Sequence, residues 1–174
     1  MPSIATLPGM AERTVICDGF SKTYAMTGWR LGFGIMPQAL AERVDLLLTH
    51  SVGCTADFTQ WAGVEALTGP QDQVAAVVAE YKQRRDVLVA GLNAIPGIRC
   101  RSPQGAFYVF PNVMACGKSS TWLADYLLEE AGVALLPGTA FGRRGEGYLR
   151  LCFANSLDNL QAALAQIAAA LGRL

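Results

Sequence analysis

Histidine is almost absent: His50 is the only one in 174 residues, which excludes a histidine metal cluster within one chain. An excess of one charge is missing too. Fourteen basic residues balance fourteen acidic ones, which argues against an electrostatic footprint for nucleic acid or an anionic membrane. No apolar run approaches the roughly 20 residues that span a bilayer. The first residues also lack the basic start and apolar block of a signal peptide. Cysteine is sparse and odd in number: Cys17, Cys54, Cys100, Cys116 and Cys152 are scattered along the chain. They read as buried free thiols in a reducing compartment, not as a disulfide frame or zinc site, so a cytoplasmic protein is expected.

What is abundant is apolar residues, at 52% of the chain, enough for a real core. Thr14-Val15-Ile16-Cys17 predicts a short buried strand, and Leu31 to Met36, closed by Pro37, reads as another strand. Helices are expected near 37–49, with Leu40, Val44, Leu47 and Leu48 on one side, and from Asp57 to about Thr68. The strongest helical pattern runs over 71–93, where Val74, Val77, Val78, Tyr81, Leu88 and Leu92 recur at helical spacing. Beyond Pro96-Gly97 the pattern changes. Strands are expected at Ile98–Cys100, Ala106–Phe110, Val133–Leu136 and Tyr148–Phe153, and helices over 119–131 and from Ser156 onward, with Ser156 as N-cap. In the strand 148–153, alternation turns Leu149, Leu151 and Phe153 to one face and Tyr148, Arg150 and Cys152 to the other.

The segment Ser21-Lys22-Thr23-Tyr24-Ala25-Met26-Thr27-Gly28-Trp29-Arg30-Leu31-Gly32 carries the strongest chemical case. A lysine amine is protonated near neutrality and becomes a nucleophile through burial or neighbouring positive charge. Arg30 offers that charge and a planar fork for phosphate. Ser21 and Thr27 add hydroxyls, and Gly28 and Gly32 allow close backbone approach. Together they suit a cofactor with both an aldehyde and a phosphate. Read from residue types alone, a solvated polar loop between two strands remains the alternative.

Phe20 to Gly32 closely resembles the lysine signature of class I/II aminotransferases, the aspartate aminotransferase-like group of fold-type I pyridoxal-phosphate enzymes. Gly105-Ala106-Phe107-Tyr108 resembles the Gly-x-Phe-Tyr strand of that family's small domain. Leu136-Pro137-Gly138-Thr139-Ala140-Phe141-Gly142, followed by Gly147-Tyr148-Leu149-Arg150-Leu151, resembles its Pro-Gly-x-x-Phe-Gly and x-x-Arg-(hydrophobic) pair. The resemblance implies that Lys22 carries pyridoxal 5′-phosphate as a Schiff base and serves as general acid/base. It also implies that Ser21 and Arg30 hold the phosphate, and that Arg150 grips the α-carboxylate of an amino-acid or 2-oxo acid substrate.

The implied architecture is α/β, the C-terminal part of a fold-type I pyridoxal-phosphate-dependent transferase. Residues 1–70 are expected to be the remnant of the large cofactor-binding domain. Residues 71–174 comprise a connecting helix (71–93) and a small α+β domain. The resemblance further implies aminotransferase activity and a homodimer in the complete enzyme. Only Glu12 and Asp18 precede Lys22, and neither matches the family's ring-nitrogen carboxylate. An N-terminally truncated chain is therefore expected, with activity of this chain alone left open. A lyase or synthase of the same fold, or a folded remnant without catalysis, are the alternatives.

Other signals are discounted. Gly117-Lys118-Ser119 resembles a P-loop ending, but Asn112 stands where that motif needs glycine. Gly32-x-Gly34 runs into Met36-Pro37 with no dinucleotide fingerprint. His50 is expected to decorate a helix end. Lys82, Arg84, Arg85 and Asp86 are expected to form a solvated helix face, and Trp29, Trp61 and Trp122 to be core or interface aromatics.

Overall fold

The computed structural model describes residues 3–174. It divides into two compact units, Met1–Ala76 and Val77–Leu174.

The first unit is built on an antiparallel pair, β1 (Ile16–Gly19) and β2 (Gly32–Ile35), in register from Ile16↔Ile35 to Gly19↔Gly32. A single helical turn, α1 (Phe20–Thr23), leaves β1 at once. Two longer helices follow, α2 (Gln38–Ser51) and α3 (Asp57–Thr68). β1 begins two residues later than the expected strand. Thr14 is diverted: its hydroxyl donates to the Met10 carbonyl at 2.7 Å, closing the preceding turn.

The first of these strands was expected to be buried. Instead Cys17 and Asp18 of β1 are exposed, as is every residue of β2. No residue of α2 is buried, so its expected apolar side (Leu40, Leu47, Leu48) faces solvent. Phe20 and Met26 are the buried hydrophobic side chains of this unit. Phe20 packs near Gly63 of α3, where a Cβ would meet the Leu31 side chain.

The long helix α4 (Asp72–Asn93) contains the boundary between the units. Val77 and Val78 are exposed, whereas Leu88 and Leu92 are fully buried. In the second unit a three-stranded antiparallel sheet runs in the order β3 (Tyr108–Val109), β5 (Leu149–Cys152), β4 (Leu136–Pro137). It is accompanied by α5 (Ser120–Ala131) and the terminal α6 (Leu157–Leu171). Ser119 and Ser156 accept at their hydroxyls from the Trp122 and Asn159 amides, capping both helices. Leu88, Leu92, Val109, Leu123, Leu127, Leu149, Phe153 and Ile167 form the core.

Three strand expectations are shortened, each for a local reason. Cys100 finds its backbone partners in the Asn93 side-chain amide, which accepts from its N–H and donates to its carbonyl, both at 2.8 Å. Only Arg99 of that segment bridges Asn112. Ala106 sits at φ 57°, outside extended geometry, so β3 starts at Tyr108. Gly132 ends α5 in the left-handed region, and the Val133 amide donates back to Leu127 at 3.0 Å, which delays β4.

Three further expectations are corrected. Cys17, Cys54 and Cys152 are exposed, and only Cys100 is buried. Arg84 and Arg85 are half-buried, not solvated: Arg84 lies over the Tyr81 ring at 5.3 Å, and Arg85 donates to the Pro103 carbonyl at 3.2 Å. The three tryptophans are substantially exposed, which removes the core reading and leaves the interface one. No helix among the described residues is long and apolar enough to cross a membrane.

Candidate active site

In the first unit the β1–β2 ladder closes at Gly19↔Gly32, and the Phe20 amide donates to the Leu31 carbonyl at 3.2 Å. That bond ties the two chain ends of the lysine loop together. Ser21 and Lys22 therefore leave the ladder on α1 at the same end where Arg30 returns to it. Ser21 is half-buried, and Lys22 and Arg30 are exposed. One of the Arg30 donors is committed within the loop, Nη1 donating to the Thr27 carbonyl at 2.8 Å. This leaves most of its five N–H donors for a ligand. Arg30 also helps line a cleft of about 550 Å³ with Gly28, Trp29, Thr55, Phe58 and the buried Thr59. Lys22 and Ser21 do not line that cleft.

The backbone here is unusual in a way no composition count reveals. Among the described residues, three non-glycine residues have positive φ: Ala25 (54°), Arg30 (55°) and Ala106 (57°). Two fall inside the lysine segment and the third inside Gly105–Tyr108. Such conformations cost on the order of 1 kcal/mol each and cluster at functional sites.

The second unit gathers its three motif segments around Arg150. This residue is on β5, the central strand, and Leu136 of β4 is its register partner. On the other side, Tyr108 of β3 pairs with Cys152. The predicted alternation holds: Leu149, Leu151 and Phe153 are buried, while Tyr148 and Arg150 are half-buried and Cys152 is exposed. The Arg150 Cζ lies 4.4 Å from the centroid of the Tyr108 ring and 4.4 Å from that of Phe141. Each such contact contributes roughly 0.5–1 kcal/mol at a partly exposed site. Phe110 continues the aromatic group, stacked on Tyr148 at 5.3 Å and edge-on to Phe141 at 6.2 Å.

Backbone contacts fix this arrangement. Phe141 ends a 3-10 turn, Gly138–Phe141, whose first residue abuts Gly145 so closely that a Cβ on either glycine would strike the other's carbonyl. The fully buried Ser120 hydroxyl accepts from the Gly147 amide at 2.8 Å and the Tyr148 amide at 3.1 Å, while the Ser120 amide donates to Glu146 Oε1 at 2.9 Å. Ser120 thus anchors the entrance to β5, two residues before Arg150. Sequence reading gave no role to Ser120, and none to Tyr108 and Phe141 beyond membership of a motif. Burial of Cys100 pushes its thiol up to about 11, and Cys116 moves the same way, so neither is a ready thiolate nucleophile. His50 lies in the last turn of α2, as expected, and among the described residues no group of acidic, histidine and cysteine side chains could hold a metal.

The chain is similar to known proteins along nearly its whole length. The family model for class I and II aminotransferases matches residues 2–167. An aspartate aminotransferase of Pyrococcus horikoshii is 44% identical over 92% of this chain and 41% of its own length. The solved structure of an aromatic aminotransferase from Pyrococcus horikoshii superposes with a TM-score of 0.94 at 39% identity, over 98% of this chain and 46% of that one. An aspartate aminotransferase structure from Rhizobium meliloti gives 0.94 and 39%, over 100% and 46%. The chain belongs to the class I and II aminotransferase family. It spans under half the length of the relatives it matches.

Proposed function

We propose that the protein serves pyridoxal 5′-phosphate-dependent transfer of an amino group from an amino acid to a 2-oxo acid. In this reading residues 1–70 belong to the large cofactor-binding domain and 71–174 to the connecting helix and small domain. The observation that carries it is the closure of the β1–β2 ladder, which sets a primary amine, a hydroxyl and a guanidinium at one strand end. That donor set fits a ligand bearing an aldehyde and a phosphate: Lys22 for the aldehyde, Ser21 and Arg30 for the phosphate. When bound, the cofactor supplies an electron sink for the bond broken at the substrate Cα.

The chain's own residues do the rest. Arg30 offers its uncommitted N–H groups to phosphate oxygens. Lys22 Nζ, as general acid/base, would take the proton from the Cα of the amino acid and, in the opposite half of the transfer, deliver one to the corresponding carbon of the 2-oxo acid. Arg150 receives the substrate carboxylate through its free N–H edge. A homodimer in the complete enzyme and a cytoplasmic location belong to the same proposal. Exposed large apolar side chains such as Leu47, Phe58 and Trp61 support the former, since such side chains gain by being covered at a protein contact.

The test is a fluorescence titration of the dialysed protein with pyridoxal 5′-phosphate. Arg30→Ala is expected to weaken binding by about 10- to 100-fold, in line with loss of a charge-assisted phosphate contact of roughly 1.5–3 kcal/mol. Unchanged affinity would remove Arg30 from the site. Product analysis with an amino acid and a 2-oxo acid separates amino transfer from a lyase or synthase reaction. A second reading is a folded module without catalysis of its own. Cofactor binding without amino transfer would support it.

A further inference from the structure

We infer that Tyr108 and Phe141 are positioning residues that hold the Arg150 guanidinium so that its N–H edge is presented to a carboxylate. The inference rests on the carboxylate role proposed for Arg150 and extends it to two residues that touch no ligand themselves. Three observations carry it. First, the guanidinium has a ring from each neighbour of β5: Tyr108 from the β3 side and Phe141 from the turn after β4, both at 4.4 Å. Second, among the described residues Arg150 has neither an ion pair nor a hydrogen-bond partner, unlike Arg84, Arg85 and Arg173, which pair with carboxylates. Third, both rings are themselves fixed. Tyr108 is held in register on β3, and the Phe141 turn is locked by the Gly138–Gly145 contact.

The chemistry follows from these contacts. A long arginine side chain loses much rotamer freedom when it engages a ligand. Ring contacts that already hold it in place reduce that cost at binding. They do so without using any N–H donor, because a ring face attracts the cation but accepts no conventional hydrogen bond. An acidic neighbour would also hold the arginine, but it would occupy the donors and cancel the charge that a carboxylate ligand needs. Aromatic holding leaves both available.

The experiment is an NMR titration of the full chain with succinate, observing the Arg150 side-chain Nε–H, with the assignment checked by Arg150→Lys. In the parent protein, succinate is expected to shift this resonance in a saturable way. Phe141→Leu and Tyr108→Leu are each expected to raise the succinate Kd about threefold, and the double variant about tenfold. Each should also move the free Arg150 resonance as a ring current is lost. Tyr108→Phe and Phe141→Tyr keep the ring and should restore the parent Kd to within twofold. Trp122→Leu, which removes another exposed aromatic whose ring lies under Lys118 and not Arg150, should leave it unchanged. If the parent binds succinate and the leucine variants bind it equally well, the positioning role is overturned while Arg150 keeps its carboxylate. If succinate leaves the parent Arg150 resonance unmoved, both the positioning role and the carboxylate role fall.

Discussion

The two units handle apolar side chains in opposite ways. From Val77 onward, leucines, valines and phenylalanines from α4, α5, α6 and the three-stranded sheet meet in one core, with Leu88, Val109, Leu123 and Phe153 almost without exposed surface. Before that point Phe20 and Met26 are the buried hydrophobics, while Ile35, Leu46, Leu47, Phe58, Trp61 and Leu67 lie at least half exposed. Both stretches are rich in the same residue types, so composition does not separate them. What separates them is the number of elements available to cover each apolar face. A two-stranded ladder with two long helices leaves faces open, whereas three strands backed by helices close a layer. The residues of the proposed chemistry divide along the same line. Lys22, Ser21 and Arg30 sit on the open unit and Arg150 on the closed one.

The contrast predicts a steep difference in mutational cost, measured by denaturant unfolding of each unit followed separately. Phe153→Ala is expected to cost about 3–5 kcal/mol, as for other buried aromatics. Trp61→Ala, at 68% exposure, should stay within about 0.5 kcal/mol. A cost for Trp61→Ala that rivals Phe153→Ala would erase the distinction. Next in size, Ser120→Ala should cost about 1–3 kcal/mol, because it leaves the Gly147 and Tyr148 amides without their buried acceptor.

The smallest effects concern the thiols. At mildly alkaline pH a maleimide reagent should label Cys17, Cys54 and Cys152 quickly and spare Cys100, which is buried and held protonated. The linked pH effect has a definite sign. Burial raises the native thiol of Cys100 from 9.0 to about 11, so the unfolded chain loses this proton first. Its contribution to stability is complete below pH 9 and is lost progressively as pH rises through about 11. Cys100→Ala should flatten that part of the stability profile. An unchanged alkaline slope would show that Cys100 does not govern it.

Much of this was legible in the sequence because it is local. The lysine loop is one contiguous segment, and the strand alternation that turns Arg150 away from Leu149 and Leu151 needs only a period of two. Helix starts at Ser119 and Ser156 follow from their own hydroxyls. Other features depend on partners distant in sequence. The strand order β3-β5-β4 brings Tyr108 and Phe141 to Arg150, and neither spacing nor periodicity encodes that order. Asn93 replaces a strand partner for Cys100, and Thr14 closes a turn where a strand was expected. Half-burial of Arg84 and Arg85 was missed because a run of charge reads as solvated until the Tyr81 ring and the Pro103 carbonyl are placed beside it. Periodicity on α2 found an apolar side but could not say whether anything covers it.

The most direct measurement of the account is reductive trapping. The protein is incubated with pyridoxal 5′-phosphate, treated with borohydride, digested and mapped by mass spectrometry. The chain contains three lysines, Lys22, Lys82 and Lys118, which makes the assignment unambiguous. The account predicts stoichiometric label on Lys22 alone, with Lys22→Ala carrying none. Label spread evenly over the three lysines, or no label in folded protein, would contradict it.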